Sequence, residues 1–465
     1  MNALKDYRYI WPQPESLNTD QWRKLQDDDA YIRTMPEALE ELSEDSRWPA
    51  FFPSPIALVT TADGPVAGLE KVVGASIVNR FPYVIALSFC KQSLSDRHYA
   101  RSVFTEILES GKGVAVQFLA PGRALDATMR AIATVPDLET DTRIKATGNP
   151  TRKALTNNAP VFKEAYLVYE AVLVKPGKDF DQQPIYPEPW VDVGSHRVYF
   201  LEITAIQLRQ DIADGRNKII WRSLPDWNHP VEKQGFNGGG ADIGRDRYRK
   251  GYTPHYTFPS AGTIAFEADL VKDGMAVKYL PPLPEDQIEV DNDRARWPCF
   301  FPSSAGMITS WMENGTPNIM PCGSTTIISR HPLVVAPCIS YAKINERYAP
   351  RASLDIIRIG GKFGCGVPFI NPVVTNAIRY TGNISITNDP HKAERSGLRI
   401  GKSPWAPVLY DLPIHYDCKV IGEIKLGTHI MLLGEVQRIR VHSGLTPENP
   451  LEWFPWADVS MEPSD

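Results

Sequence analysis

The chain contains one domain twice, and this repeat constrains its fold more than any single motif. Arg47 to Pro53 reads RWPAFFP and Arg296 to Pro302 reads RWPCFFP, identical at six of seven positions. Three more stretches follow in the same order. GASIVNRFPYVIALSF from Gly74 falls on STTIISRHPLVVAPCI from Ser324, so that Pro82 meets Pro332. RHYARSVFTEILESGKG from Arg97 falls on RYAPRASLDIIRIGGKF from Arg347, which places Arg97, Arg101 and Gly111 on Arg347, Arg351 and Gly361. SHRVYFLEI from Ser195 falls on THIMLLGEV from Thr428, with His196 on His429. A chance turn with two aromatics cannot give four colinear matches. The expected layout is an N-terminal extension (1–44), copy one (45–228), an inter-copy insertion (229–293) and copy two (294–465).

Composition narrows the class. A formal charge of -5 is too balanced for unspecific attachment to nucleic acid or an anionic membrane. The start, MNALKDYRYIWPQPE, lacks the basic and apolar pattern of a secretion signal, and no segment has the ~18 apolar residues that span a bilayer. A cytoplasmic protein is expected, with small molecules or itself as partners. Cys90, Cys299, Cys322, Cys338, Cys365 and Cys418 show no C-x-x-C spacing, so reduced thiols are expected rather than a metal site. Cys299 and Cys322 lie nearest the segments discussed below. The GGGADIG run of the insertion has no apolar strand before it and no amphipathic helix after it, which argues against a dinucleotide loop. A surface loop whose arginines and tyrosines clamp an anionic or aromatic group fits it better.

The 40 prolines exceed the roughly 23 expected at ~5% usage and favour strands joined by shaped turns. Ile414 to Leu426 alternates apolar and polar residues, which predicts one packed face and one face toward water or ligand. Helical spacing surrounds Tyr99, Val103 and Ile107, and again Leu354 and Ile357, each followed by a glycine suited to a helix end (Gly111, Gly361). The expected fold is mainly β with some helix (α+β): two antiparallel barrels with helices packed outside.

These residues resemble the flavin reductase-like family, whose members have an FMN-binding split barrel. Copy two carries Pro317-Asn318 as a hairpin, Ser324-Thr325-Thr326 and Ser329 on a strand, Pro332-Leu333, a helix after Arg347, and GTHIMLLGEV from Gly427. Copy one follows with Asn79 for Ser329, Pro82-Tyr83 for Pro-Leu and Leu201-Glu202-Ile203 for Gly-Glu-Val. Ile319-Met320-Pro321 replaces a common Gly-Met-Thr run and removes one hydroxyl. The resemblance implies two split β-barrels forming an intramolecular pseudo-dimer, with copy two as the better-kept site. It also implies that the pseudo-dimer could pair again as a homodimer.

FMN needs an apolar slot for its ring and hydroxyl, N–H and guanidinium donors for its phosphate. Copy two offers Ser324, Thr325, Thr326, Ser329, Ser340, Arg347 and Arg351, and copy one offers Ser76, Ser88, Arg97 and Arg101. Arginines at a helix start oppose the macrodipole unless an anion lies there. By the resemblance, His429 and His196 stand near the flavin or its nicotinamide donor and would orient substrate or move a proton; His98 and His331 have no counterparts in the other copy. The function expected is an FMN-dependent (or FAD-dependent) oxidoreductase using NADH or NADPH, acting on a small organic substrate or serving a partner monooxygenase. Two alternatives stay open: a flavin- or haem-binding protein without turnover, and a cofactor-free enzyme on the same barrel. No G-x-S-x-G or H-E-x-x-H run supports hydrolysis.

Overall fold

A computed structural model describes residues 24–25, 29–33, 57–72, 74–79, 82–90, 103–119, 123–135, 141–179, 181–210, 271–272, 274–279, 306–330, 332–342, 350–368, 372–412 and 414–442. Copy one comprises β1 (Ala57–Asp63), β2 (Val66–Val72), β3 (Gly74–Asn79), β4 (Val84–Cys90), α1 (Val103–Glu109), β5 (Val114–Leu119), α2 (Arg123–Thr134), α3 (Thr142–Ala146), β6 (Ala165–Leu173), β7 (Trp190–Val193) and β8 (His196–Arg209). Copy two comprises β9 (Gly306–Trp311), β10 (Pro317–Cys322), β11 (Thr325–Arg330), β12 (Leu333–Ser340), α4 (Ala352–Gly360), β13 (Lys362–Val367), α5 (Pro372–Asn383), α6 (Lys392–Arg395), β14 (Ile414–Lys425) and β15 (His429–His442). Among these elements only β7 has no counterpart.

Each copy forms one antiparallel sheet of the same order. In copy one β8, β6, β5, β1 and β2 follow one another, while β4 pairs with β8 and β3 with β4. Copy two repeats this with β15, β14, β13, β9 and β10, and with β12 on β15 and β11 on β12. The 14-residue β8 explains the curl: His196–Glu202 pair with β4, and Leu201–Leu208 pair with β6. One strand is thereby shared by two half-sheets, as the split-barrel expectation requires. Strands from outside the repeats extend both sheets. Met275–Tyr279 adds to β8, and Asp29–Arg33 adds to β15, so the N-terminal extension pairs with the second copy.

Inside each barrel the inward residues of the strands meet one helix. Val59, Leu87, Val116, Tyr169 and Leu201 enclose Phe104 and Leu108 of α1; Ile308, Val335, Phe363, Tyr416 and Leu432 enclose Leu354 and Ile357 of α4. Gly361 ends α4 in the left-handed region (φ 64°), and Gly111 after α1 does the same (φ 87°), as the helix spacing implied.

The two barrels pack through the opposite face of the β3–β4 and β11–β12 ribbons. Val78, Val84, Ala86, Val198 and Phe200 meet Ile328, Val334, Ala336, Cys338, Leu426 and Met431 in one buried cluster. The pairs 78/328, 84/334 and 86/336 share one offset, so the contact is a pseudo-twofold, and the pseudo-dimer is intramolecular. Polar bonds lock it: Ser88 Oγ donates to Ile328 O at 2.6 Å, and Tyr186 Oη donates to Leu426 O at 2.8 Å. Asp179 accepts from Tyr341 Oη at 2.8 Å and pairs with Lys425.

Two local expectations change. The alternation along β14 fails in its first half, because His415 and Asp417 are both buried at 1% exposure. The segment carrying Leu409 and Leu412 covers that face, and Arg438 pairs with Asp417 while Arg440 donates to Leu409 O. Burial followed by the neighbouring Arg440 lowers the His415 pKa to about 3, so this histidine stays neutral. Pro317-Asn318 begins β10, whereas the hairpin turn is 312–316, closed by Met312 N to Thr316 O at 2.9 Å. Pro321 is tolerated within β10 because that strand is the edge of its sheet.

Candidate functional site

Residues on β11 alternate in direction, which divides the predicted hydroxyls between two jobs. Thr325 faces the barrel interior and donates to Cys322 O at 2.9 Å, whereas Thr326 shares the interface face with Ile328. Ser340, at the end of β12, shares that face with Cys338 and Ala336. Thr326 Oγ1, Ser340 Oγ and Ser329 Oγ are all buried, with no hydrogen-bond partner among the described residues. A buried hydroxyl left unbonded costs about 1–3 kcal/mol. Ser324 is half-buried.

Two cations lie near the end of β12, one of them joined to it through the backbone of Ser340. Arg351 caps the start of α4 in an extended conformation, and its N–H donates to Ser340 O at 3.0 Å. Its guanidinium makes one long bond, 3.4 Å, to Gly382 O. The residue is exposed as a whole, yet desolvation of the guanidinium lowers its pKa, with the nearby Cys322 opposing. Lys392, on α6, was not foreseen. It is 3% exposed, and among the described residues no carboxylate or carbonyl bonds its ammonium. Desolvation first, and Arg351 second, bring its pKa down to about 8, against a smaller opposing pull from Asp389. Asp389 is itself engaged by Tyr380 Oη, His391 N and Arg395. Among the described residues neither cation is bonded to a carboxylate, and two such neighbouring cations repel unless an anion is present.

Copy one holds the same elements in a different electrostatic state. Helices α3 and α6 end in the same turn: Thr147 Oγ1 donates to Ile144 O at 2.7 Å, and Ser396 Oγ donates to Ala393 O at 2.6 Å. This equivalence sets Arg143 on Lys392. Strand register sets Glu70, opposite Val59, on Met320, opposite Ile308. Arg143 is ion-paired with Glu70 and also donates to Val135 O at 2.8 Å and Leu69 O at 3.3 Å. The cation of copy one is thus neutralised from its own β2, while Met320 gives Lys392 no such partner. The hydroxyls diverge too. Thr326 lies on Ser76, but Thr325 lies on Ala75 and Ser324 on Gly74. Register places Cys90, opposite His196, on Ser340, opposite His429; Ser88 therefore corresponds to Cys338, and its hydroxyl is taken up by the interface bond. Ser76 Oγ makes only a 3.4 Å contact with Ile77 O.

His429 and His196 occupy equivalent places at the starts of β15 and β8, both half-buried. His429 Nδ1 lies 2.7 Å from Thr428 Oγ1, and His196 Nδ1 lies 2.8 Å from Ser195 Oγ. Tyr341 N and Ala342 N donate to Thr428 O, which ties the histidine turn to the end of β12. Arg347, Arg97, Arg101, His98, His331, Cys299 and the GGGADIG run lie outside the described residues. Cys322, Cys338, Cys365 and Cys418 are buried free thiols, and burial pushes the Cys322 thiol up. Among the described residues no cluster of His, Cys, Asp or Glu suits a metal ion, and no helix is long and apolar enough to cross a membrane.

Sequence reasoning overlooked Lys392 because its equivalence to Arg143 is carried by one helical turn of weak similarity. The signal that could have found it was HKAERSGL against TRIKATGN, in which the basic residue and the glycine keep their places.

A family model agrees with the two-copy layout. The family model described as "Flavin reductase like domain" matches residues 50–223 and again 299–457. Three solved structures similar in part are nitrilotriacetate monooxygenase component B from Bacillus cereus (18% identity, 38% of this chain and 87% of that one, TM-score 0.31), flavoredoxin of Desulfovibrio vulgaris (22%, 32% and 76%, 0.27) and the styrene monooxygenase flavin reductase from Pseudomonas putida S12 (16%, 32% and 82%, 0.25). No curated protein sequence matches the chain. With two matches that together span well over half of its length, on two barrels of equal topology, the chain belongs to the flavin reductase-like family as a tandem member.

Proposed function

We propose that this chain is a flavin-dependent oxidoreductase that holds one FMN, at copy two. The observation that carries the proposal is the neighbouring pair Lys392 and Arg351, neither bonded to a carboxylate among the described residues, with the Arg351 N–H bonded to the carbonyl of Ser340, in a member of this family. A phosphate dianion would pair with both cations, which an apolar or cationic ligand would not. Among the described residues copy one does not offer the same, since Glu70 is paired with Arg143. Thr325 acts indirectly by fixing the turn at Cys322. When bound, the flavin supplies the electron-transfer chemistry, and the protein supplies binding, orientation and water exclusion. His429, tied through its turn to Ser340, is the residue that would hold or move a proton beside the substrate. A nicotinamide nucleotide is the electron donor in this proposal, and a small organic molecule or a partner monooxygenase is the acceptor.

The test is an equilibrium titration of the full chain with FMN, followed by desalting and an absorption spectrum. One equivalent per chain is expected, lost in Lys392→Met and kept in the double variant Glu70→Met/Arg143→Met, which gives copy one an apolar pair at this position. Two equivalents in the native chain, or loss of one in the double variant, would overturn the assignment to copy two.

A further inference from the structure

Asn79 belongs to copy one, yet its side chain ends at the histidine turn of copy two. Its Nδ2 donates to Pro82 O at 3.0 Å, and its Oδ1 lies 2.9 Å from Thr428 N and 2.6 Å from Thr428 Oγ1. Both side chains are buried; Asn79 is 1% exposed and Thr428 0%. Their proton positions are fixed by elimination. A carbonyl such as Pro82 O only accepts, so the amide nitrogen must face it and Oδ1 must face Thr428. Oδ1 then accepts from both the backbone N–H and the hydroxyl of Thr428. With its single proton directed at Asn79, Thr428 Oγ1 can only accept from the ring nitrogen 2.7 Å away. His429 therefore carries its proton on Nδ1, and in the neutral ring the lone pair sits on Nε2.

We infer that Asn79 is a positioning residue for His429, so that the site of copy two is completed by copy one. This role in turnover rests on the flavin proposal above, whereas the tautomer does not. Ser329 does not make the reciprocal contact among the described residues. Ser329 occupies the place of Asn79 in the second repeat, and its shorter side chain leaves a buried Oγ with no partner among the described residues instead of reaching the Ser195–His196 turn. The asymmetry thus runs in the same direction as that of the cations, and the two halves of the duplicated chain divide their roles, one binding and the other orienting. A neutral ring held in the Nδ1–H form presents an acceptor at Nε2, which suits His429 to take or relay a proton, and it removes the mixture of tautomers that a free histidine shows.

The test uses the full chain, with nitrogen-15 NMR of the histidine rings and steady-state turnover across pH. Native His429 should show the Nδ1–H signature. Asn79→Ser, which installs the residue of the other repeat, and Thr428→Val, which deletes the acceptor at similar volume, should each shift the ring toward Nε2–H. Both should lower kcat about 10- to 100-fold, a part of the ~10²–10⁴-fold that a well-placed acid or base contributes, with FMN affinity unchanged. Asn79→Asp and Thr428→Ser keep the accepting oxygens and should retain the native signature. A native Nε2–H ring, or an Nδ1–H ring that persists in Asn79→Ser and Thr428→Val, overturns the inference. A chain that binds no FMN but shows the expected tautomers would overturn the flavin proposal and leave the positioning intact.

Discussion

Lys392 gives the most quantitative prediction, because its burial makes the candidate site pH-sensitive. Its pKa of about 8 in the folded chain lies below the ~10.4 of an unfolded lysine, a gap worth about 3 kcal/mol. Since the folded pKa is the depressed one, the protonated form is penalised. The penalty is fully present below pH ~8 and is relieved as pH rises through ~8 toward ~10.4. A bound phosphate reverses this by pairing with the ammonium and returning its pKa toward the unperturbed value. FMN phosphate is a dianion above its second pKa of ~6, so between about pH 7 and pH 9 only the protein group titrates. The dissociation constant should then rise about tenfold from about pH 7 to about pH 9, as the free protein loses the lysine charge that the complex keeps. Quenching of FMN fluorescence at several pH values measures this directly. Lys392→Met should bind about 10- to 150-fold more weakly at about pH 7, the loss of one charged hydrogen bond of about 1.5–3 kcal/mol, and should show no such slope. A flat native profile, or the same slope in Lys392→Met, would refute the reasoning.

The remaining predictions concern the contact between the copies. A Cβ at Gly74 would stand 2.6 Å from Ile327 O and 2.9 Å from Ser88 Cβ, so Gly74→Ala should cost about 1–3 kcal/mol and lower Tm; an unchanged Tm would contradict the close approach. Desolvation alone would raise the Asp179 pKa, but hydrogen bonds from Lys425, Gln183 N and Tyr341 hold it below the usual carboxylate range. Its stabilising effect is therefore present above pH ~3.9 and lost as pH falls through the lower folded value. Asp179→Asn should lose about 1–3 kcal/mol at neutral pH and lose less than the native chain on acidification, as thermal melts at both pH values would reveal.

Much of the fold was legible in the chain because duplication leaves a colinear trace. Once Arg47–Pro53 and Arg296–Pro302 align, the offset carries strand to strand, and Gly111 and Gly361 mark equivalent helix ends. The histidine pair was legible for the same reason. The pattern along β14 misled, since alternation reports which residues could face water, and whether a covering segment removes that water is a long-range matter. His415 and Asp417 are buried by residues 403–412, which no local pattern connects to them.

The amino-acid sequence alone determined that two copies of one β-rich domain exist, that both keep a histidine turn, and that copy two keeps more hydroxyls. These are one-dimensional facts, recorded in residue identity and spacing. The tertiary structure decided which groups are satisfied. Glu70 meets Arg143 only because β2 lies beside α3, and Asn79 meets Thr428 only because the pseudo-twofold brings β3 of one barrel against the histidine turn of the other. Hydrogen bonding and ion pairing depend on distances of about 3 Å between atoms that can lie hundreds of residues apart. Such distances are set by tertiary packing, and they separate a cation paired with a carboxylate, Arg143, from one that is bonded to none among the described residues, Lys392.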